Sequence, residues 1–392
     1  MKKIYYTFVI SCCLFLITGC GQHPPQEGVY KTYHENGNIK TEENYQAGRL
    51  HGIFKEYFEN GQVKEIRHYV DGKKEGEFNQ FYDNGQLQAK GVFKNDQLEG
   101  FIDGYYRNGQ RRIVVAEKNE KEGIFQEFYE NGQVKAEGKY KNDANGEIKR
   151  EGAIKEYYQG GSLKREDLYQ SGKYNGLTKE YYQTGEIKIL EGYKDGKRHG
   201  ATRVFFPNGK NAAIRNYKNG KLDGFSRDYY GNGEWKKAEN YKNGKRDGVS
   251  KEYYQDGTMK RKAFYLNGQR LGKVKSYYPN GTLRGQAWYQ YDKLQGESQV
   301  YDKEGNLLIE ANFQEDALAG INKKYYDNGE LKTTIEYNED RTTYIVTGFY
   351  KNGIVKEESV YKFGKLEFTK KYDENGKLVK KEGFEEGVLE EE

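Results

Sequence analysis

The stretch Gly248–Leu271 reads G-V-S-K-E-Y-Y-Q-D-G-T-M-K-R-K-A-F-Y-L-N-G-Q-R-L and is one copy of a unit that fills most of the chain. It contains an aromatic pair, Tyr253-Tyr254, a first turn ending at Gly257, and a strand-like segment that ends in a second aromatic residue and a second turn. A period of this kind comes before any other interpretation, because each repeat is one supersecondary unit that must stack on its neighbours.

The first-turn glycine marks fifteen copies of the unit, and eleven of the fourteen intervals between them are 24 residues. Although a length of 392 residues alone would suggest two or three domains, the repeat leaves no segment long enough for a separate one. The copies are marked by Gly37, Gly61, Gly85, Gly109, Gly132, Gly161, Gly185, Gly209, Gly233, Gly257, Gly281, Gly305, Gly329, Gly353 and Gly376.

Each unit is predicted to be a β-hairpin, with strands at Val249–Tyr254 and Thr258–Tyr265 in the quoted copy. The fold class is therefore all-β, an elongated single-layer antiparallel β-meander of about fifteen 24-residue hairpin repeats that covers residues 29–387. The period breaks at 109–161, where five residues are inserted near Lys141–Glu151, and at 338–348. Residues 388–392 form an acidic tail that we interpret as a cap.

Turn chemistry predicts the register of each hairpin. Asn-Gly or Asp-Gly between two strands favours a two-residue type I′ turn, in which both central residues have positive φ. Such a turn places Tyr254 opposite Met259 on one face and Tyr253 opposite Lys260 on the other. The second turn of each unit is predicted to be longer and variable.

Composition excludes a disordered chain, because 38 Tyr and 19 Phe supply surface that can be buried even though the apolar fraction is only 35%. The net charge is +5, and positive and negative residues are interspersed along every unit. No clustered basic stripe is visible in the sequence, so we expect no nucleic-acid partner.

The N-terminal segment predicts export and lipidation. Two lysines precede the apolar run Ile4–Ile17, which is too short to span a bilayer and is typical of a signal peptide. The segment ends in Thr18-Gly19-Cys20, which resembles a bacterial lipobox, so residues 1–20 are interpreted as a lipoprotein signal peptide and Cys20 as the lipidated residue. Residues 21–28, with two prolines, are a tether.

Cysteine usage supports this interpretation over an ordinary secreted signal in which Cys20 is incidental. The other cysteines are Cys12 and Cys13, and none occurs in the 372 residues that follow Cys20. The expected location is the bacterial cell envelope, with the membrane leaflet left open, and the membrane is one partner through the lipid.

The repeat itself resembles a known family. The pattern Glu-Tyr-Tyr-x-x-Gly-x-(Leu/Ile/Met)-Lys, followed by Tyr-x-Asn-Gly-Lys-x-x-Gly, is similar to the MORN-repeat variant of bacterial proteins, which includes the YwqK-type putative antitoxins. The resemblance covers about residues 28–387. It implies a twisted antiparallel sheet and roles in protein binding, membrane binding or scaffolding, or in neutralising a toxin.

A search for catalytic constellations predicts neither an enzyme nor a cofactor or metal site. The five histidines have no cysteine partners, and His51 and His199 occupy the same place before a strand glycine, as turn residues do. Carboxylates recur as the Glu of Lys-Glu-Tyr-Tyr, so they are explained by the repeat, whereas an enzyme needs one site that differs from the rest.

Three functions remain open from the sequence. The first is a lipid-anchored envelope protein that binds a protein partner or an envelope polymer through its repeat surface. The second is an immunity or antitoxin protein whose partner is a toxin. The third is binding of cell-wall polysaccharide, which is weaker because aromatic arrays of that kind rely on Trp and only Trp235 and Trp288 are present.

Overall fold

A computed structural model describes residues 25–119, 122–144 and 147–383 of the chain. The predictions for the signal peptide, for Cys20 and for the acidic tail 388–392 therefore lie outside the described residues. Within the described ranges every helix or strand is a strand, and no helix suited to crossing a membrane is found there.

The described residues form 36 strands. Their bounds are β1 Gly28–Tyr33, β2 Ile39–Gln46, β3 Arg49–Leu50, β4 Gly52–Tyr57, β5 Val63–Val70, β6 Lys73–Lys74, β7 Gly76–Phe81, β8 Leu87–Lys94, β9 Gln97–Tyr105, β10 Arg111–Asn119, β11 Glu122–Phe128, β12 Val134–Asn142, β13 Ile148–Tyr157, β14 Leu163–Gln170, β15 Lys173–Tyr174, β16 Gly176–Tyr181, β17 Ile187–Lys194, β18 Lys197–Arg198, β19 Gly200–Phe205, β20 Asn211–Lys218, β21 Lys221–Tyr229, β22 Trp235–Lys242, β23 Lys245–Arg246, β24 Gly248–Tyr253, β25 Met259–Leu266, β26 Gln269–Tyr277, β27 Leu283–Gln290, β28 Lys293–Tyr301, β29 Leu307–Gln314, β30 Ala317–Leu318, β31 Ile321–Tyr325, β32 Leu331–Tyr337, β33 Thr343–Phe349, β34 Val355–Lys362, β35 Lys365–Tyr372 and β36 Leu378–Gly383.

The chain divides into two compact units, residues 1–135 and 136–392. In the first unit, successive strands from β1 to β11 pair antiparallel, each with the one before and the one after it. The second unit repeats the arrangement from β12 to β36, and the two-residue strands are the first parts of the strands that follow them. The all-β antiparallel meander of hairpin repeats is thereby confirmed.

The first turn of each hairpin differs from the prediction. In the quoted copy the amide of Tyr254 donates to the carbonyl of Thr258 (2.8 Å), and the amide of Gly257 donates to the carbonyl of Tyr254 (3.0 Å). Only Gly257 has positive φ (88°). These bonds define a three-residue loop, a type I turn followed by a glycine in the left-handed region, and not a type I′ turn.

The longer loop changes the pairing at the strand ends. Tyr253, and not Tyr254, lies opposite Met259, and a bulge between Glu252 and Tyr253 adds one residue to β25. The predicted partners were therefore wrong by one residue at this end. From Glu252 inward the bulge compensates for the loop, so that Gly248 faces Tyr265 as the two-residue register requires.

The type I′ geometry occurs instead at the second turn. Leu266 faces Gln269, and the two residues between them, Asn267 and Gly268, have φ of 51° and 95°. Equivalent residue pairs with positive φ recur at this place in other units, including Asp71-Gly72 and Asn219-Gly220. The second turn is thus the shortest loop of most units, contrary to the expectation that it is long.

The five-residue insertion near Lys141–Glu151 mostly extends this second hairpin. β12 and β13 continue to pair as far as Asn142 and Ile148, one pair beyond the usual end. The turn then spans 143–147, and the amide of Asp143 donates to the carbonyl of Glu147 (2.9 Å). In the other irregular segment, Tyr337 faces Tyr344 and stacks on it with ring centroids 5.1 Å apart.

The two faces of the sheet in the second unit differ in burial. One face, called the covered face, carries Ser250, Ala263 and Tyr265, which are 7%, 4% and 5% exposed. The other, called the open face, carries Val249 and Phe264, which lie opposite each other and remain 37% and 40% exposed. Since successive strand residues point to opposite faces, every strand contributes to both.

A stacked column on the covered face joins successive repeats. Tyr174 lies between Tyr169 and Tyr193, with ring centroids 4.6 and 5.0 Å apart. Further along the unit, the guanidinium of Arg246 lies 3.9 Å from the ring centroid of Tyr265. Such contacts add about 0.5–1.5 kcal/mol to the burial of each ring.

Tyrosine hydroxyls connect each first turn to the next repeat. The second tyrosine of the aromatic pair donates its hydroxyl to the backbone carbonyl of the first aromatic residue one repeat later, at 2.8–2.9 Å. We call this contact the tyrosine clasp. Its donors are Tyr82, Tyr106, Tyr158, Tyr182, Tyr230, Tyr254, Tyr278, Tyr326 and Tyr350.

Candidate functional site

The candidate site is a row of positively charged side chains on the open face of the second unit. Directly opposite residues of neighbouring strands run Arg203, Ile214, Arg227, Ala238, Lys251, Lys262 and Lys275, from β19 to β26. Opposite residues in an antiparallel pair share a face, so the five cations stand side by side. We call Arg203, Arg227, Lys251, Lys262 and Lys275 the cationic row.

The row has defined ends. Beyond Lys275 the same positions carry Gln286, Gln299 and then Glu310. Before Arg203 they carry Leu190 and then Lys179, whose ammonium is bonded to Glu166 at 2.9 Å. Seven strands spaced at about 4.8 Å give the row a length of roughly 30 Å.

None of the five cations forms an ion pair among the described residues. Lys251 faces Lys262, and Lys262 faces Lys275, so two lysine pairs carry like charges directly across the sheet. Opposed like charges destabilise a sheet. The row is therefore costly to the isolated fold, which is the opposite of what a purely structural ladder needs.

Arg227 is held by aromatic rings. Its guanidinium lies 4.7 Å from the ring centroid of Phe225 and 4.9 Å from that of Trp235. Its Nε is buried and has no hydrogen-bond partner in the described part of the chain. A planar guanidinium between two rings keeps its remaining N–H groups at the open face, available to an anion.

A second row on the open face lies two residues along each strand from the first, a separation of about 7 Å. It includes Phe225, Val249, Phe264 and Trp288, which are between 37% and 46% exposed, and we call these four residues the apolar row. Lys273 faces Trp288, and its ammonium lies 5.3 Å from the indole. Trp235, on the same face, is 42% exposed.

The carboxylates that belong to these strands are placed on the covered face. Asp228, Glu239 and Glu252 stand at positions of the opposite parity, and neither row contains a carboxylate between β19 and β27. Glu239 is paired there with Lys237 (3.0 Å) and Arg246 (3.6 Å). The charges are nearly balanced along the chain and segregated across the sheet.

The electrostatics of Glu239 show that the covered face satisfies its own charges. Burial alone would raise the pKa of Glu239, but hydrogen bonds from Lys237 and Tyr241 outweigh it and hold the pKa below its usual value. In return, burial and the bond to Glu239 raise the pKa of the Tyr241 hydroxyl to about 12. The covered face is thus internally paired, whereas the cationic row is not.

The described residues contain no cluster of three or more His, Cys, Asp or Glu side chains suited to a metal ion. His51 lies at the start of β4, where its amide donates to the carbonyl of Asn44 (2.8 Å), and its imidazole is 3.7 Å from the Asp71 carboxylate. His199 occupies the equivalent place, with its amide bonded to the carbonyl of Gly192 (2.8 Å). Both are turn residues, as the sequence indicated.

Sequence reasoning missed the cationic row because it judged charge along the chain. Lys251, Lys262 and Lys275 are separated by acidic residues in the sequence, which hides their proximity. The signal that reveals them is period-2 alternation applied together with the hairpin register. The register from Glu252 inward was available from the predicted turn, so the row was within reach of the sequence.

Comparison with known proteins gives one family. The model of the MORN repeat variant matches ten segments of 22 residues, which together make up more than half of the chain. The segments are 26–47, 50–71, 74–95, 121–142, 150–171, 198–219, 246–267, 270–291, 294–315 and 318–339. No curated protein matches the chain.

Solved structures with detectable similarity include complexes described as TcdB2-TccC3-Cdc42 and TcdB2-TccC3-TEV, with 10% and 11% sequence identity and TM-scores of 0.16 and 0.15. The matches cover 91% and 90% of this chain but only 24% of each of those chains. TM-scores this low carry no argument about fold or function.

The five repeats that the family model leaves unmatched, marked by Gly109, Gly185, Gly233, Gly353 and Gly376, form the same hairpins in the structure. Each of these glycines has φ between 82° and 101°, as the matched copies do. Ten matched repeats and five further hairpins of the same geometry support one assignment: the chain belongs to the MORN repeat variant family.

Proposed function

We propose that this protein is a lipid-anchored scaffold of the bacterial cell envelope, which binds a protein partner or an envelope component through the open face of its repeats. The observation that carries the proposal is the apolar row, in which Phe225, Phe264 and Trp288 remain about two-fifths exposed on a strand-paired surface. Neighbouring exposed apolar side chains are typical of interaction surfaces, and aromatic residues are enriched at binding hot spots.

The anchor is the second part of the proposal. The signal-like segment and Cys20 in its lipobox-like setting support lipidation and export. A protein held at a membrane needs a tether before its binding surface, and the two prolines at 24 and 25 suit an extended one. We further propose that the protein has no catalytic activity and requires no cofactor.

The anchor is tested by expressing the full chain and its Cys20→Ser variant in a lipoprotein-processing bacterium. We expect the parent to label with a fatty-acid probe and to partition into detergent, and the variant to do neither. Equal labelling of the two chains would remove the lipid anchor from the proposal.

The binding surface is tested by crosslinking in intact cells, with the parent compared with a Phe264→Ser, Trp288→Ser variant. Both side chains are exposed, so the variant should fold, and circular dichroism with thermal unfolding confirms that it does. We expect the crosslinked species to be lost in the variant. Crosslinked species that are identical in the two chains, or absent from both, would contradict a role for the open face.

An antitoxin role is the alternative, and it rests on the resemblance to the YwqK-type proteins alone. It predicts that a neighbouring gene encodes a toxin whose effect is relieved by this chain when the two are co-expressed. A crosslinked partner that is toxic without this protein would favour that role over a scaffold.

A further inference from the structure

We propose that the cationic row and the apolar row together bind a linear anionic glycan, whose sugar rings pack on the exposed side chains while its carboxylate or phosphate groups pair with the lysines and arginines. The inference deepens the proposed function and rests on it, because an envelope location is what favours a glycan among linear polyanions.

The geometry of the two rows suits a polymer that runs across the strands. Arg227, Lys251, Lys262 and Lys275 offer a cation on four of the five strands from β21 to β26, with the short β23 counted as part of β24. Phe225, Val249, Phe264 and Trp288 follow the same direction about 7 Å away. A chain with an anionic edge and an apolar ring face can contact both rows at once.

The surface favours a flexible polymer over a folded protein partner. Protein hot spots sit in well-packed pockets, and the open face between β19 and β27 is a sheet surface on which the large side chains stand up from the strands. A repeating charge on a chain matches a repeating charge on a sheet without the need for an enclosing pocket. Charge complementarity at a desolvated row also steers association.

The limits of the two rows favour a single chain over a membrane surface. Glu297 continues the apolar row and Glu310 continues the cationic row, both within three strands of the last members. A flat anionic bilayer would extend over these carboxylates, whereas one polymer chain can pass beside them. A nucleic acid would need flat rings for its bases, and Val249 occupies one of the four positions in the apolar row.

The state of the cations supports a missing anion. Lys251, Lys262 and Lys275 face one another without an ion pair in the described residues. Arg227 has a buried Nε with no hydrogen-bond partner there. An anionic chain supplies the counter-charges that the sheet lacks, and its binding must weaken as salt rises.

The test uses the purified chain and the fluorescence of Trp235 and Trp288, which are its only tryptophans and which both lie on the open face. The probes are polygalacturonate, a phosphate-bearing wall glycan, neutral dextran, a single-stranded oligonucleotide, polyglutamate and anionic vesicles. We expect one of the two anionic glycans to bind most tightly, which also identifies the anion, and dextran not to bind.

The matched variants are Lys251→Glu, Lys262→Glu as the test pair and Lys303→Glu, Lys324→Glu as the control pair. The control pair changes the same number of charges at exposed lysines outside the row. We expect the test pair to lose about tenfold or more in affinity for the glycan and the control pair to bind like the parent.

Equal binding by the parent and the test pair would overturn the inference, as would tightest binding to the oligonucleotide, to polyglutamate or to vesicles. These results are separable from the proposed function. If no glycan binds but crosslinking still depends on Phe264 and Trp288, the scaffold stands and the glycan falls. If Cys20→Ser changes nothing while the glycan binds, the anchor falls and the site stands.

Discussion

A single hydroxyl group decides which tyrosine of each aromatic pair connects two repeats. Tyr253 and Tyr254 are neighbours of the same type, but only Tyr254 donates to a carbonyl one repeat away, that of Tyr277 at 2.9 Å. The sequence shows the pair and cannot show the difference, because it depends on the bulge at the end of the hairpin. Phe58 and Phe206 occupy the clasp position without a hydroxyl, so the contact is not obligatory in every repeat.

Replacing Tyr254 with Phe removes the clasp and keeps the ring. We expect the free energy of unfolding to fall by about 0.5–1.5 kcal/mol, the usual net value of one hydrogen bond. Tyr253→Phe is the matched control, since it removes a hydroxyl that has no bond among the described residues, and it should leave urea unfolding unchanged. If the two variants were destabilised equally, the clasp would have no specific role.

Buried tyrosine hydroxyls make the fold sensitive to alkali. Burial, followed by hydrogen bonds to carboxylates, raises the pKa of Tyr57, Tyr157, Tyr241 and Tyr325 from an ordinary 10 to about 12. A raised pKa means that the fold favours the protonated form. This contribution to stability is complete below pH 10 and is lost as the pH rises through about 12.

We therefore expect the urea midpoint to decline across that interval, together with the appearance of tyrosinate absorbance. Tyr325→Phe should decline less steeply than the parent, because one of the four groups is gone. Titration of all tyrosines near pH 10 in the folded chain would contradict the assignment.

At the scale of the hairpin, two kinds of turn alternate along the chain. The dipeptide Asn-Gly is compatible with both, because a glycine in the left-handed region is needed in each. In the first turn the Asn side chain instead bonds the backbone two residues on, as Asn232 does with the amide of Glu234 (3.1 Å). Local preference could not separate the two turn types, and the number of residues between paired strands decided the outcome.

Two glycines of one turn separate the effects of conformation and space. Gly233 has φ of 101°, whereas Gly231 in the same turn does not have a positive φ, and a Cβ added to it would meet no atom within 4 Å. We expect Gly233→Ala to cost about 1–2 kcal/mol because the left-handed region disfavours a Cβ. Gly231→Ala should be neutral or stabilising by about 0.4–1 kcal/mol. Thermal unfolding of both variants checks the order, and the reverse order would refute the turn assignment.

Lys262 offers a test of the cationic row that is independent of any ligand. Lys262→Glu replaces two like-charge oppositions, with Lys251 and Lys275, by two attractive ones. We expect a gain of roughly 0.2–1 kcal/mol per pair in the free energy of unfolding, and a smaller gain in high salt. Lys324→Glu is the control, because Lys324 faces Ile309. A destabilised Lys262→Glu chain would show that the lysines do not repel one another.

At the scale of the whole chain, the 24-residue period was the most predictable property. It follows from aromatic residues and glycines that recur in register, and the structure forms the hairpins even where the family model finds no match. The cationic row was less accessible, because it exists only when residues from consecutive repeats are brought together by pairing. A surface that belongs to several copies has no motif within any one of them.

Removal of one whole repeat should leave a folded chain. Deletion of residues 248–271 joins Asp247 to Gly272, whose φ of 79° matches the positive φ of Gly248. Since stability in repeat arrays is a sum of neighbouring contacts, we expect cooperative unfolding to persist and the urea dependence to fall by roughly one fifteenth.

Deletion of residues 248–272 is the control for that experiment. It removes one further residue, Gly272, and shifts every later side chain to the other face. We expect this chain to be strongly destabilised in circular dichroism and urea unfolding. Equal stability of the two deletions would mean that phase is unimportant to the array.

The tyrosine clasps also bear on how the chain responds to force. Each clasp links a turn to the repeat that follows it, so a load that peels strands apart from one end must break one hydroxyl contact per repeat. Every repeat released adds about 80 Å of extended chain. Where the clasp position holds Phe58, Phe206 or Asp302, the contact is missing, and extension should start or accelerate at these places. A tethered envelope protein built in this way can lengthen in steps and shorten again while most of its sheet stays paired.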